Sequence, residues 1–144
     1  MVSRRKFIST LSAAVLGAAT PLTLSSCAGG LTSYRSRAID GQLKIPKAAA
    51  NPALQKHGAM FVRAENLPVA IVLRQLEDGT VVALSTVCTH SGCEVRVMPH
   101  SFQCPCHGSE YAEDGEVIEG PAAQPLQQFE LTETEQAYFI KVKI

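Results

Sequence analysis

The chain has 144 residues, room for one domain with a short leader. With 46% hydrophobic and 18% charged residues it lies in the globular range, which excludes bulk disorder. Formal charge is zero, but Arg4, Arg5 and Lys6 precede the first acidic residue, Asp40. Without those three, 10 basic residues face 13 acidic ones, so no basic surplus remains for a nucleic-acid partner.

The first element in chain order is an address. Residues 1–26 carry the basic, weakly apolar and small-residue parts of an export signal. The run Ser3-Arg4-Arg5-Lys6-Phe7-Ile8 resembles a twin-arginine signal, whose translocon exports folded proteins. Leu24-Ser25-Ser26-Cys27 resembles a lipobox, where a peptidase cuts before a diacylated cysteine. On that reading Cys27 is lipidated, which accounts for an odd count of five cysteines, and its two acyl chains give the stable anchoring that one chain does not. Two other readings stay open. Phe7–Leu24 would span roughly 27 Å as an uncleaved helical anchor, although Ser9, Thr10, Ser12, Thr20, Pro21 and Thr23 make it poor lipid-facing material. Ordinary cleavage after Ala28 would release the protein. All three readings export the domain to the outer face of the cytoplasmic membrane or the periplasm.

Residues 27–45 are small and polar without a sustained period, and are read as a tether. The folded domain is assigned to residues 46–144. Residues 48–58 are Ala-rich but broken by Pro52 and Gly58, so at most a short helical turn is predicted there. From Ala59 onward, β-rich runs occur at 59–64, 68–74, 80–87, 94–98, 126–132 and 137–143, separated by Pro and Gly turn signals. No helical run of a dozen residues follows the signal. The prediction is an all-β domain, a small antiparallel β-sandwich or barrel.

Two segments between these runs carry the chemistry. One is Cys88-Thr89-His90-Ser91-Gly92-Cys93 and the other Cys104-Pro105-Cys106-His107-Gly108-Ser109. Cysteine and histidine suit transition metals rather than Ca²⁺ or Mg²⁺. The spacing Cys-x-Cys-His excludes the Cys-x-x-Cys-His of covalent haem attachment. A structural zinc site usually opens with two cysteines two to four residues apart, whereas Cys88 and His90 are separated by one. Zinc, or disulfides alone in an exported chain, remain open as alternatives.

The arrangement that uses every residue is two Cys–His pairs, Cys88/His90 and Cys104/His107, with Cys93 and Cys106 left over. This pattern resembles the Rieske [2Fe–2S] family of the disulfide-containing, high-potential type, over about residues 60–144. The resemblance implies one [2Fe–2S] cluster, with Cys88 and Cys104 on one iron and His90 and His107 on the other. It also implies a disulfide between Cys93 and Cys106. Two ferric ions, two sulfides and two thiolates sum to zero charge when the histidines are neutral, and one electron takes the cluster only to minus one. Four thiolates would put the same states at minus two and minus three. Histidine ligation therefore raises the reduction potential, to roughly −150 to +300 mV across such centres. The free nitrogen of each ligating imidazole also couples electron uptake to a proton at high pH.

The same resemblance makes Ser109 a donor to a cluster sulfide and Tyr111 a donor to a cysteine sulfur, both of which tune the potential upward. Gly120-Pro121-Ala122-Ala123 is similar to the loop that covers the cluster, with Ala123 where Pro is frequent. Ser91 stands where quinol-oxidising cytochrome bc subunits usually carry Leu, which weakens that assignment. His57 and His100 are read as surface or turn residues. Glu110, Glu113, Asp114, Glu116 and Glu119 are read as a solvated acidic face, with docking of a basic redox partner as the alternative. The function expected is one-electron transfer at the outer face of the membrane, to a c-type cytochrome or similar acceptor. The alternative is the Rieske subunit of a cytochrome bc quinol oxidase or of an arsenite-oxidase-type molybdenum complex.

Overall fold

A strand sends alternate side chains to opposite faces, so a strand without polar alternation needs apolar cover on both sides. Ile71–Gln75 and Val81–Ser85 are such strands, and both lie at the centre of the computed structural model, which describes residues 30–143. In chain order the elements are β1 (Ser33–Ser36), β2 (Gln42–Pro46), α1 (Lys47–His57), β3 (Ala59–Ala64), β4 (Ile71–Gln75) and β5 (Val81–Ser85). They continue with β6 (Arg96–Val97), β7 (Phe102–Gln103), β8 (Glu110–Tyr111), β9 (Val117–Glu119), β10 (Gln128–Phe129), β11 (Leu131–Glu133) and β12 (Ala137–Lys141). The chain is thus mostly β, and its strand pairs are antiparallel except for β1 beside β3.

Three sheets result. A five-stranded sheet in the order β1-β3-β4-β5-β10 forms the middle layer. On one face, Ile71, Leu73, Val81 and Ala83 pack with Leu43 and Ile45 of β2, Tyr138 and Ile140 of β12, and Ala50, Ala53 and Leu54 of α1. That face is covered by α1 and the sheet β11-β12-β2. On the other face, Val72, Val82 and Leu84 pack with Val95, Phe102, Tyr111 and Leu126, beneath the sheet β6-β7-β8-β9. The odd and even residues of β4 and β5 therefore serve two different cores.

The N-terminal part differs from expectation. Strand β1 and all of β2 but Pro46 lie inside the segment read as a tether. Short strands with polar outward residues carry no apolar run, and these two form only because β3 and β12 supply their hydrogen-bonding edges. The helix is also longer than a turn, with 11 residues. Pro52 removes one hydrogen bond to the Ala48 carbonyl, but Ala50, Ala53 and Leu54 are buried and hold the helix against the core. Gly58 ends it at φ 67°, its N–H bonded to the Leu54 carbonyl at 2.8 Å. The export signal and Cys27 lie outside the described residues. Among the described residues no helix is long and apolar enough to cross a membrane.

Candidate metal centre

Both Cys/His segments fold into the same local shape. In the first, the Cys88 N–H bonds to the Cys93 carbonyl at 2.8 Å, and the Gly92 N–H returns to the Cys88 carbonyl at 2.9 Å. In the second, the Cys104 N–H bonds to the Ser109 carbonyl at 2.8 Å, and the Gly108 N–H returns to the Cys104 carbonyl at 3.1 Å. Gly92 and Gly108 have φ of 77° and 79°, left-handed values that glycine adopts without strain. Each loop thus turns its leading cysteine inward and presents the residues behind it. The loops leave the C-terminal ends of β5 and β7, and Cys93 and Cys106 join them through a disulfide.

The side chains separate by burial. Cys88 and Cys104 are free thiols, 1% and 3% exposed. His90 and His107 are exposed, with ring centroids 4.9 Å apart and planes near perpendicular at 87°. Each loop therefore buries its leading cysteine in the second core and exposes the histidine two or three residues on. The sulfurs of Cys93, Cys104 and Cys106 lie within 4.8 Å of one another, but the disulfide occupies two of them. Only Cys104 of those three offers a thiol.

Polar contacts close the site. The Thr89 N–H donates to the Tyr111 hydroxyl at 3.1 Å, and the Thr89 hydroxyl donates to the Gln124 carbonyl at 2.6 Å. Tyr111 is fully buried, and its own proton has two neighbours to choose from. These are Cys88 Sγ at 3.2 Å and Thr89 Oγ1 at 3.1 Å. Burial pushes the Cys88 thiol up, but the Tyr111 hydroxyl, the His90 N–H, the Cys104 thiol and the Ser91 N–H outweigh it and lower its pKa. Burial and the bond to Cys88 raise that of Tyr111. The pair thus favours thiolate on Cys88 and a neutral phenol donating to it.

The third loop, residues 120–125, is clipped to both others. Its Ala122 N–H donates to Ser109 Oγ at 3.0 Å, and its Gln124 carbonyl receives the Thr89 hydroxyl. Ser109 is completely buried and accepts with its oxygen, which leaves its own proton to donate elsewhere. Ser91 is exposed, its hydroxyl 3.1 Å from His90 Nδ1. The three loops carry no Asp, Glu, Lys or Arg, yet each is flanked by one acid: Glu94 after the first, Glu110 after the second and Glu119 before the third. Two buried thiols, one tuned toward thiolate, beside two imidazoles form a donor set that suits an iron–sulfur group held by mixed ligation.

One residue escaped the sequence reading altogether. Arg74 on β4 is 1% exposed and reaches into the second core. Its guanidinium donates to the Met98 carbonyl at 3.0 Å, to the Pro99 carbonyl, and to Glu113 Oε1 at 2.6 Å, while its Nε has no protein partner. Glu113 therefore belongs to a structural ion pair rather than to a solvated face. His100, 84% exposed, stands 3.3 Å from the same carboxylate. The sequence signal was a lone arginine closing an apolar strand, but nothing in the sequence named its partners.

Residues 46–130 match the family model for the Rieske [2Fe-2S] domain. The chain is 30% identical over 138 residues to a cytochrome b6-f complex iron-sulfur subunit of Desmonostoc, covering 87% of this chain and 76% of that protein. Over 56 residues it is 48% identical to the corresponding subunit of Synechococcus, covering 36% of this chain and 33% of that protein. Across five such short, strong matches the chain spans 11% to 33% of the relatives' own length. Among solved structures, the cyanobacterial plasma membrane Rieske protein PetC3 of Synechocystis superposes with a TM-score of 0.52 at 31% identity, covering 62% of this chain and 91% of that one.

Proposed function

The chain belongs to the Rieske [2Fe–2S] family, and from that premise we propose that it is a one-electron carrier exported to the outer face of the cytoplasmic membrane. The domain binds one [2Fe–2S] cluster. In our reading Cys88 and Cys104 hold one iron and His90 and His107 the other, Cys27 carries the lipid anchor, and a c-type cytochrome or similar protein accepts the electron. The observation that supports this best is the split of the donor set: a buried thiol and an exposed imidazole in each loop, with the two rings 4.9 Å apart.

When bound, such a cluster takes up and releases a single electron with little change in shape. The chain's own residues do the rest. Cys88 has its thiol pKa lowered by the hydrogen bond with Tyr111, which eases its loss of a proton to a metal. The disulfide and the Ser109 and Thr89 bonds fix the three loops to one another, so little reorganisation accompanies transfer. The exposed rings of His90 and His107 give a partner a short path to the metal and leave a nitrogen to exchange protons with water.

A second reading follows from relatives named as cytochrome b6-f complex subunits. In it the protein is the Rieske subunit of a quinol-oxidising cytochrome complex, which co-purification with a cytochrome b would support. Ser91, polar and exposed at the tip, and the lipobox favour the carrier.

A redox titration followed by absorbance and EPR, repeated across pH, tests the proposal. A potential in the upper half of the roughly −150 to +300 mV range, falling as pH rises, is expected. A low, pH-independent potential would mean all-thiolate ligation and overturn the ligand set. His107→Cys is expected to lower the potential where the cluster assembles, because it restores a thiolate charge.

A further inference from the structure

The direction of β1 fixes which way the metal-binding tip points. β1 runs parallel to β3, β3 is antiparallel to β4, and β4 is antiparallel to β5. Strands β1, β3 and β5 therefore run the same way, and β5 leads directly into the loop that begins at Cys88. The chain enters the sheet at the opposite side. Across the sheet Ser33 is level with Phe61, Val72 and Leu84, so Leu31, two residues earlier, is level with Val82.

From Val82 to Cys88 is six residues, an advance of about 20 Å at strand rise. Leu31 also lies three strand spacings to the side, about 14 Å. Nor does the chain hang free before β1. The Thr32 carbonyl receives the Phe61 N–H at 2.9 Å, and Leu31 lines a 760 Å³ groove with Lys56, His57, Leu76 and Met98. The link between Cys27 and the fixed Leu31 is four Cα steps, about 14 Å at full extension.

We infer that the tip cannot turn end-on to the membrane and that its partner is a water-soluble redox protein rather than a site embedded in the bilayer. To plant the tip on the membrane, the domain would have to lift Leu31 at least about 20 Å above the surface. The link to a lipidated Cys27 is too short for that. The domain stands with the groove side down or lies flat, and in neither pose does the ring of loops face the lipid end-on. This rests on Cys27 as the anchor proposed above.

The full chain, reconstituted in phosphatidylcholine vesicles doped with a gadolinium-chelate lipid, tests the inference. The microwave power at which the EPR signal of the reduced protein saturates reads the approach of the tip to the headgroups. Intact-mass spectrometry of the same sample reads the lipid on Cys27. The expected result is a diacylated Cys27 and a saturation power that the doped lipid raises less than it does in a chain with a longer link. A variant with about 20 Gly/Ser residues inserted between Gly30 and Leu31, adding about 25 Å of flexible reach, is expected to saturate at higher power in the doped vesicles. A lipidated wild-type chain that relaxes as strongly as the insertion variant overturns the geometric argument. An unlipidated Cys27 overturns the inference through its premise, and the two failures are read on different instruments.

Discussion

Tyr111 holds three neighbours with one hydroxyl, and the order in which they are served is testable. The Thr89 N–H already donates to it, so its own proton is free for Cys88 Sγ. Tyr111→Phe keeps the buried ring and removes that donor. The midpoint potential is expected to fall by tens of millivolts, since only the part of a bond worth about 1.5–3 kcal/mol that differs between the oxidised and reduced states counts, and about 59 mV is a factor of ten for one electron. An unchanged potential with the cluster retained would show that the hydroxyl serves Thr89 alone. Gly115 is a second position where one atom decides the outcome. It sits at φ 91°, and a Cβ there would meet Leu84 Cδ2 at 3.1 Å and Leu126 Cβ at 3.3 Å. Gly115→Ala is expected to cost about 1–3 kcal/mol in thermal or denaturant unfolding.

Among the elements, β4 is joined to the sheet β6-β7-β8-β9 by apolar packing through Val72 and by the polar contacts of one side chain, Arg74. Arg74 grips the β6–β7 turn through the Met98 and Pro99 carbonyls and the β8–β9 turn through Glu113. Arg74→Leu leaves that carboxylate and both carbonyls without their donor, and is expected to destabilise the domain by about 3–5 kcal/mol by denaturant unfolding. Arg74→Lys is expected to rescue little, because one ammonium cannot spread its donors as the planar guanidinium does. The loops depend similarly on their tie. Replacing Cys93 and Cys106 by alanine opens a bridge spanning 13 residues, a loss of about 3 kcal/mol on the chain-entropy view, and cluster absorbance is expected to bleach at lower temperature.

Some of these elements were readable beforehand and others were not. The run 59–64 coincides with β3, the stretch 68–74 covers all of β4 but Gln75, and 80–87 contains β5, because strands buried on both faces leave a continuous hydrophobic record. Strands β7 and β8 have two residues each, too few for any period, and exist only by pairing in register with their neighbours. The two metal loops stood out because rare residue types recur at short spacing. The Arg74–Glu113 pair did not, since its members are 39 residues apart and each has ordinary surface readings alone.

For the whole molecule, the middle sheet is shared by two cores, and neither is complete without it. Val72, Val82 and Leu84 face the metal-binding sheet while Leu73, Val81 and Ala83 face the helix. A polar residue at either set is therefore expected to weaken both layers together and to keep unfolding a single transition, visible as coincident loss of cluster colour and far-UV signal. The ring of loops has its own consequence for traffic. Its members carry no charged side chain, while Glu94, Glu110 and Glu119 border them. On the proposed carrier function, a cationic partner would be attracted at long range by that border, and salt would screen the attraction over about 10 Å. The face that makes contact is neutral, so residence time is set by small, salt-insensitive contacts. For such a partner, added salt is thus expected to slow arrival in stopped-flow mixing while leaving departure unchanged, so that release would be as quick in concentrated media as in dilute ones.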